Sequence, residues 1–422
     1  MEPVRALKVD DIRLGDLDFW LRPIEEREGA FAVLRAERPV SFHEEPVLPI
    51  LPQGPGFWSL TRHADILEAS RTPEVFSSAK GTSIGDQPEV FNEFFGSMIN
   101  MDDPRHARLR RIVSRGFTPR RIQQVEGEVA RSAAAIIDRV IEKGSCDFVT
   151  EIAAPLPLKI ICDMMGIPES QWNFVFERTN TILGAGDPEY TTDIEQIIPN
   201  LLRAGAELAE LVKDLASHRR TNPSDDLTSE LVNAELEGER LTDQELGSFF
   251  VLLAVAGNET TRNAISHGMK ALSDHPEQRA LWQRDFDGVT PTAIEEIVRW
   301  ATPVIHFRRT ATRDTKIGGQ AIGAGQKVVL WYCSGNRDEA VFDEPFRFDL
   351  RRSPNEHVGY GGPGPHFCLG AHLARREITV MFRELFKRLP DLEISGPPER
   401  LQSFFIHGIK HMPCEFRPGG AA

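Results

Sequence analysis

Cys368 is the residue whose surroundings most invite chemistry. It stands in the run Val358-Gly359-Tyr360-Gly361-Gly362-Pro363-Gly364-Pro365-His366-Phe367-Cys368-Leu369-Gly370. Glycines at this density let the backbone approach a flat ligand and leave amide donors unencumbered. A helical pattern follows from about Leu369 to Leu389, which puts the sulfur near the positive end of a helix dipole and favours the thiolate. A thiolate so placed can be an axial ligand to haem iron; a buried cysteine in a tight turn shows the same local pattern. The other cysteines, Cys146, Cys162, Cys333 and Cys414, lack the close spacing of a zinc or iron–sulfur site. A chemically active cysteine is therefore expected to act alone.

A second constellation is Ala256-Gly257-Asn258-Glu259-Thr260-Thr261, where the apolar run from Phe249 to Ala256 ends abruptly. A mid-helix glycine costs about 1 kcal/mol against alanine. A carboxylate beside a buried run is costly unless it has a partner or a task. Thr260 lies one turn beyond Ala256, and its hydroxyl can bond back to that turn and bend the helix. The pattern fits a widened spot where a hydroxyl and a carboxylate face a cavity, as proton delivery to bound oxygen requires. It also fits a solvated change of face with a tolerated glycine.

These residues need elements to hold them. Thr242-Asp243-Gln244-Glu245 reads as a capping box. No proline follows until Pro276, so the spacing predicts a helix of about 30 residues, or ~45 Å, long enough to span a domain. From about Pro104 to His275 the patterns are mainly helical, including Gln124 to Ile141 and Ile194 to His218, with Pro155, Pro157 and Pro168 as breaks. Another helical stretch runs from Pro291 to Trp300. Short β-like runs between Ile305 and Cys333 are punctuated by Gly318-Gly319 and Gly323-Ala324-Gly325, and Phe57 to Leu60 also reads as extended. No internal repeat or low-complexity linker divides the chain. The expected architecture is mainly α with small β-sheets, one continuous domain over 1–422. Its β-containing part covers about 30–100 and 305–350, and its helical body about 104–300 and 369–390.

The chain has 422 residues, 41% apolar and 27% charged, the composition of a globular protein. A net charge of −14 argues against nucleic-acid binding. The local exception is Arg105 to Arg121, with Arg105, Arg108, Arg110, Arg111, Arg115, Arg120 and Arg121. That run is either a positive face able to steer an acidic partner or a solvated helix with scattered arginines. The run from Phe249 to Ala256 is less than half of the roughly 20 residues a membrane span needs, and no secretory signal is visible, so a cytoplasmic location is expected.

Taken together, the motifs resemble the cytochrome P450 superfamily. The cysteine loop is similar to its haem-binding signature, with Gly364 four residues before the cysteine, His366 two before it, and Cys-x-Gly after. The sequence from Ala256 to Thr261 resembles the family's oxygen-activating helix motif. Glu296-Ile297-Val298-Arg299 resembles its Glu-x-x-Arg pair, and Arg347 in Phe346-Arg347-Phe348-Asp349 resembles the third member of that triad. His106 and Arg110, with Arg309 and His366, match residues that bind the haem propionates. One departure stands out: Tyr360 lies eight residues before Cys368, where the usual signature has a phenylalanine seven before. The longer loop resembles an actinobacterial lipid-oxidising branch, and the segments 95–99, 161–168, 257–265 and 405–410 look most like methyl-branched lipid omega-hydroxylases.

The resemblance implies haem b between the long helix and the cysteine loop, with Cys368 as the metal ligand and Glu259 and Thr260 as the catalytic acid–alcohol pair. It implies a pocket above the haem formed by Phe95, Leu252, Ala256, Val304 and Phe405, each of which could equally be ordinary core. The implied reaction takes one oxygen atom from O2 into a C–H bond of a lipid, at the terminal methyl of a methyl-branched fatty acid or isoprenoid chain. A sterol side-chain hydroxylase shares the longer loop. A peroxide-driven enzyme would lack the acid–alcohol pair, and a haem-based gas sensor or carrier would need neither that pair nor an electron donor. No flavin or iron–sulfur motif is present, so ferredoxin and ferredoxin reductase are the implied electron donors.

Overall fold

The structure is a computed structural model that describes residues 2–47, 52–236 and 238–419. Eight helices frame the site: α1 (Glu89–Gly96), α2 (Arg105–Val113), α3 (Pro155–Met165), α4 (Trp172–Leu183), α5 (Ile197–Thr221), α6 (Asp243–Asp274), α7 (Phe286–Ala301) and α8 (Ala371–Arg388). The strands that matter are β1 (Val40–His43), β2 (Phe57–Leu60), β3 (Phe76–Ser77), β4 (Ser145–Asp147), β5 (His306–Ala311), β6 (Lys327–Trp331), β7 (Glu393–Ile394), β8 (Glu399–Arg400), β9 (Ile409–His411) and β10 (Pro413–Glu415).

The longest helix, α6, forms for the reason its sequence suggests. Thr242 Oγ1 accepts from the Glu245 amide at 3.1 Å, and the Glu245 carboxylate accepts from the Thr242 amide at 2.9 Å. The helix then runs for 32 residues and stops at His275, because Pro276 starts the next helix at its first position. Most of the apolar run is buried, with Phe249, Phe250, Val251, Leu252 and Ala254 in one core with α3 and α8, while Ala256 is exposed. Pro155 and Pro157 do not interrupt a helix. They occupy the first turn of α3, where an amide hydrogen would lack a partner anyway. By contrast, α7 begins earlier than the sequence suggests. Asp285 caps it by accepting from the Gly288 amide at 3.2 Å, and Pro291 stands inside the second turn.

Five strands form one sheet in the order β1-β2-β6-β5-β3, so the early extended segments and the 306–331 segment join the same surface. Strands β2 and β6 pair in parallel, and β5 and β6 antiparallel. A three-stranded sheet in the order β7-β10-β4 and a two-stranded β8-β9 pair lie nearer the C-terminus. Among the described residues, no helix is long and apolar enough to cross a membrane.

Candidate active site

The cysteine loop closes on itself between Tyr360 and Cys368, which leaves the cysteine at its C-terminal end. The Cys368 amide donates to the Tyr360 carbonyl at 3.0 Å, and the Phe367 amide to the Gly364 carbonyl at 3.1 Å. Gly364 must be glycine, since a Cβ there would stand 2.2 Å from the Ser70 carbonyl oxygen. α8 starts at Ala371, so Cys368 precedes its first turn, where the Gly370 and Ala371 amides favour a negative sulfur. Burial pushes the thiol up. The two amides and the Arg110 and Arg375 guanidiniums pull it down without cancelling that effect. The helix start alone therefore does not secure a thiolate; a cation bonded to the sulfur would.

Cys368 opens onto a cavity whose opposite wall is α6, through Leu252, Ala256, Gly257, Thr260 and Thr261. The Thr260 hydroxyl donates to the Ala256 carbonyl at 2.7 Å, as the spacing suggests. Glu259 corrects an expectation: it does not face the cavity. Successive helix residues point about 100° apart, so turning Thr260 inward turns Glu259 toward the neighbouring helix. There its 1%-exposed carboxylate pairs with Arg262 and accepts from Asn263 Nδ2 at 2.9 Å. Arg262 in turn donates to Asn180 Oδ1 of α4 at 3.3 Å. Gly257 serves close packing, because a Cβ there would stand 2.4 Å from Ile161 Cδ1 of α3.

The four basic residues expected at the haem carboxylates gather at one end. His106, Arg110 and His366 line the cavity, and the two imidazole rings lie 4.3 Å apart. Arg110 donates to the Phe367 carbonyl at 2.6 Å, and Ser78 Oγ lies 3.2 Å from His366 Nε2. Arg309 stands behind the wall with its Nη1 donating to the Arg308 carbonyl at 2.8 Å. Burial, and then the charges of Arg309, His106 and Arg110, push His366 down to about 2. His106 is lowered mainly by burial, and its Nε2 has no partner. Two arginines beside two imidazoles held neutral, one of them with an unanswered ring nitrogen, suit a dianionic flat ligand edge. The residues present fit haem on both counts, the sulfur at the loop and the cations at the edge.

The substrate expectations divide. Leu252, Ala256 and Val304 line the cavity. Phe95 and Phe405 do not. Phe95 packs against Phe91 and Phe94 at 5.6 and 5.0 Å and against Gly205 of α5. Phe405 lies behind Phe307, with ring centres 5.8 Å apart, and Phe307 is the wall residue. Sequence reasoning did not assign Met98, Ile99, Phe117, Ile161, Phe249, Leu253 and Pro303 to the wall. Pro303 and Val304 reach it through Thr302, whose φ of 38 is left-handed and whose hydroxyl accepts from Asn336 Nδ2 at 2.8 Å. Glu377 of α8 was also missed. It lines the cavity, is pushed up to about 8 by burial despite a hydrogen bond from Thr261, and leaves Oε1 without a partner.

Behind the loop, Glu296 and Arg299 are fully buried and pair through two 2.7 Å contacts. Arg299 also donates to the Asn336 and Pro345 carbonyls at 2.8 and 2.9 Å. The third member is not the Arg347 side chain, which is exposed and pairs with Glu344. Arg352 takes that place, 3.1 Å from Glu296, and Arg347 contributes only its carbonyl to Arg299 and Arg352. In the arginine-rich run, Arg108 is committed to Glu245 at 2.8 Å and to the Arg240 carbonyl. The side chains of Arg120 and Arg121 lie outside the described residues.

Comparison with known proteins agrees with this geometry. The cytochrome P450 family profile matches residues 288–395. A Mycobacterium tuberculosis protein named methyl-branched lipid omega-hydroxylase is 52% identical over 97% of this chain and 96% of its own. A steroid C26-monooxygenase of Mycolicibacterium smegmatis is 40% identical over 95% of this chain and 92% of its own. The solved structure of a Mycobacterium marinum cytochrome P450 in complex with pseudoionone superposes with a TM-score of 0.92 at 47% identity, covering 96% of this chain and 99% of that one. The chain belongs to the cytochrome P450 family. It is a monooxygenase, and the cofactor its family implies is haem bound through a cysteine thiolate.

Proposed function

We propose that the protein hydroxylates the terminal methyl of a methyl-branched fatty acid or isoprenoid chain, with haem b held by Cys368. When bound, the haem supplies the reductive activation of O2. Cys368 is the metal ligand, and His106, Arg110, Arg309 and His366 hold the two propionates through charge-assisted hydrogen bonds. Thr260 is the cavity hydroxyl that places a water and passes a proton inward. Glu259 resupplies that proton; because it faces Arg262, it must turn from that ion pair to reach Thr260.

The observation that carries the substrate class is the wall. Its ionisable side chains, His106, Arg110, His366 and Glu377, belong to the cysteine loop and to α2 and α8. Leu252, Leu253, Ala256, Phe249, Ile99 and Val304 are apolar. A fatty chain that keeps its carboxylate in water therefore enters methyl end first, and a forked end fills the width of a narrow apolar channel better than a straight one. The 52%-identical relative named for methyl-branched lipids supports the same position. Electrons come from ferredoxin and its reductase, docked on the positive face that includes Arg111. Charge reversal at Arg111 slows reduction at low salt and has little effect at high salt; equal rates at both salts remove that docking site.

A visible-spectrum titration of the ferric protein tests the proposal. A methyl-branched fatty acid, its straight-chain isomer and a sterol are compared for the low-to-high-spin shift. The branched acid is expected to bind tightest. A tighter sterol response moves the assignment to side-chain hydroxylation of sterols, the activity named for the 40%-identical relative.

A further inference from the structure

The sequence offers no sign that two of its cysteines meet, yet the three-stranded sheet brings Cys146 and Cys414 together. They stand directly opposite in the antiparallel register of β4 and β10, between the pairs Pro413–Asp147 and Glu415–Ser145. Their sulfurs are 3.5 Å apart, and Cys414 Sγ lies 3.4 Å from the Cys146 carbonyl oxygen. Opposed residues in such a ladder have Cα atoms roughly 4.5 or 5.5 Å apart. Both values fall inside the span of about 4.4–6.8 Å that a disulfide bridges. Closing the bond needs a small rotation of two side chains and no movement of the strands. We propose that Cys146 and Cys414 form a reversible redox pair that a peroxide converts to a disulfide.

The order of events follows from exposure. Cys146 is half-buried, whereas Cys414 is buried in the main core. Cys146 sulfur attacks one peroxide oxygen, the O–O bond breaks, and a sulfenic acid and water result. Cys414 sulfur then attacks the oxidised sulfur, its proton leaves with the hydroxyl as a second water, and the disulfide forms. Two thiols are oxidised and one hydrogen peroxide is reduced to two waters. The hydrogen bond with Cys146, and then burial, push the Cys414 thiol up, and the half-buried Cys146 is the one that peroxide reaches first.

The cross-link joins positions 268 residues apart. It ties the strand that precedes α3 to the consecutive strands β9 and β10, in which the Ile409 amide donates to Asn263 of α6 at 3.0 Å. Neither cysteine lines the cavity, so the bond acts on stability rather than on the oxygen chemistry. A closed loop of that length restricts the unfolded chain strongly.

The test uses the haem-loaded protein, wild type and Cys146→Ser, treated with hydrogen peroxide in small molar excess. Peptide mass mapping under non-reducing conditions is expected to give a Cys146–Cys414 peptide pair lighter by two hydrogens, lost on adding a dithiol. The oxidised wild type is expected to melt several degrees higher than the reduced one, with Cys146→Ser unchanged by peroxide. Cys146→Ser is the informative variant because Cys414 is a core residue whose replacement can unfold the protein. The proposal is overturned if Cys146 goes on to sulfinic acid without the cross-link. It is equally overturned if both thiols survive peroxide, or if the cross-linked protein melts no higher.

Discussion

Two clusters of buried charge adjoin the cysteine loop, and they are built on opposite plans. Around Glu296, three cationic or polar side chains and one amide converge on a single carboxylate: Arg299, Arg352, Asn355 and the Asp349 amide. Around His366 the basic groups gather with only Asp102 and Asp103 nearby, on the side of His106 and Arg309, and burial together with the neighbouring arginines holds the two imidazoles neutral. The first matches its buried carboxylate with donors from the protein itself, and its work is to fix the segment 336–355 behind the loop. The second is tolerable only beside an anion that the chain does not encode. Buried charge matched within the protein marks architecture, and buried charge of one sign marks a place for a guest.

The largest effect is expected in the closed cluster. Glu296→Ala leaves Arg299 buried with no acid, which costs about 3–5 kcal/mol. Denaturant melts giving a loss below about 1 kcal/mol would show that the pair is not structural. Glu377 belongs to neither plan, being a lone buried acid raised from 4.5 to about 8. Its stabilising contribution is complete below pH 4.5 and is lost as pH rises through 8. Glu377→Gln should therefore remove a loss of a few kcal/mol between those limits. Melts of wild type and variant at both ends of the range test this, and parallel curves would refute it.

The open cluster predicts a smaller effect of a different kind. Arg110→Ala should weaken haem retention roughly 10–100-fold while leaving the haem-free protein at least as stable. Haem transfer to a scavenging apoprotein measures the first and calorimetry the second. A variant that loses both together would place Arg110 in the closed category. The smallest effect belongs to Arg347→Ala, which should leave the melting temperature unchanged, whereas Arg352→Ala lowers it. The reverse order would restore Arg347 to the Glu296 triad.

What the sequence reveals depends on how local the cause is. The capping box at Thr242, the long helix after it and the back-bond of Thr260 rest on neighbours within four residues, and each stands as read. His106 and Arg110 share a face because they are one turn apart. The errors concern side chains whose partners are set by tertiary packing. Arg347 and Arg352 are five residues apart in one irregular segment, and nothing local says which of them turns inward. Glu259 has its partner only three residues on. Its direction follows from Thr260 facing the cavity, which requires knowing where the cavity is. Phe95 and Phe405 are in the right layer but one residue deep, with Phe307 in front of Phe405. The Cys146–Cys414 contact is invisible to any reading by spacing, because sheet register alone creates it.

The five-stranded sheet carries a consequence for how the chain is made. β2 pairs on one side with β1, its near neighbour, and on the other with β6, whose residues emerge about 270 positions later. At roughly 5–20 residues per second, the ribosome needs on the order of 15–50 s to supply that partner. During that interval the paired β1 and β2 present an open strand edge while the helices between are still being made. An edge left open for so long invites pairing with other chains, so slower translation across residues 100–300 should lower the yield of folded protein more than the same delay after residue 331.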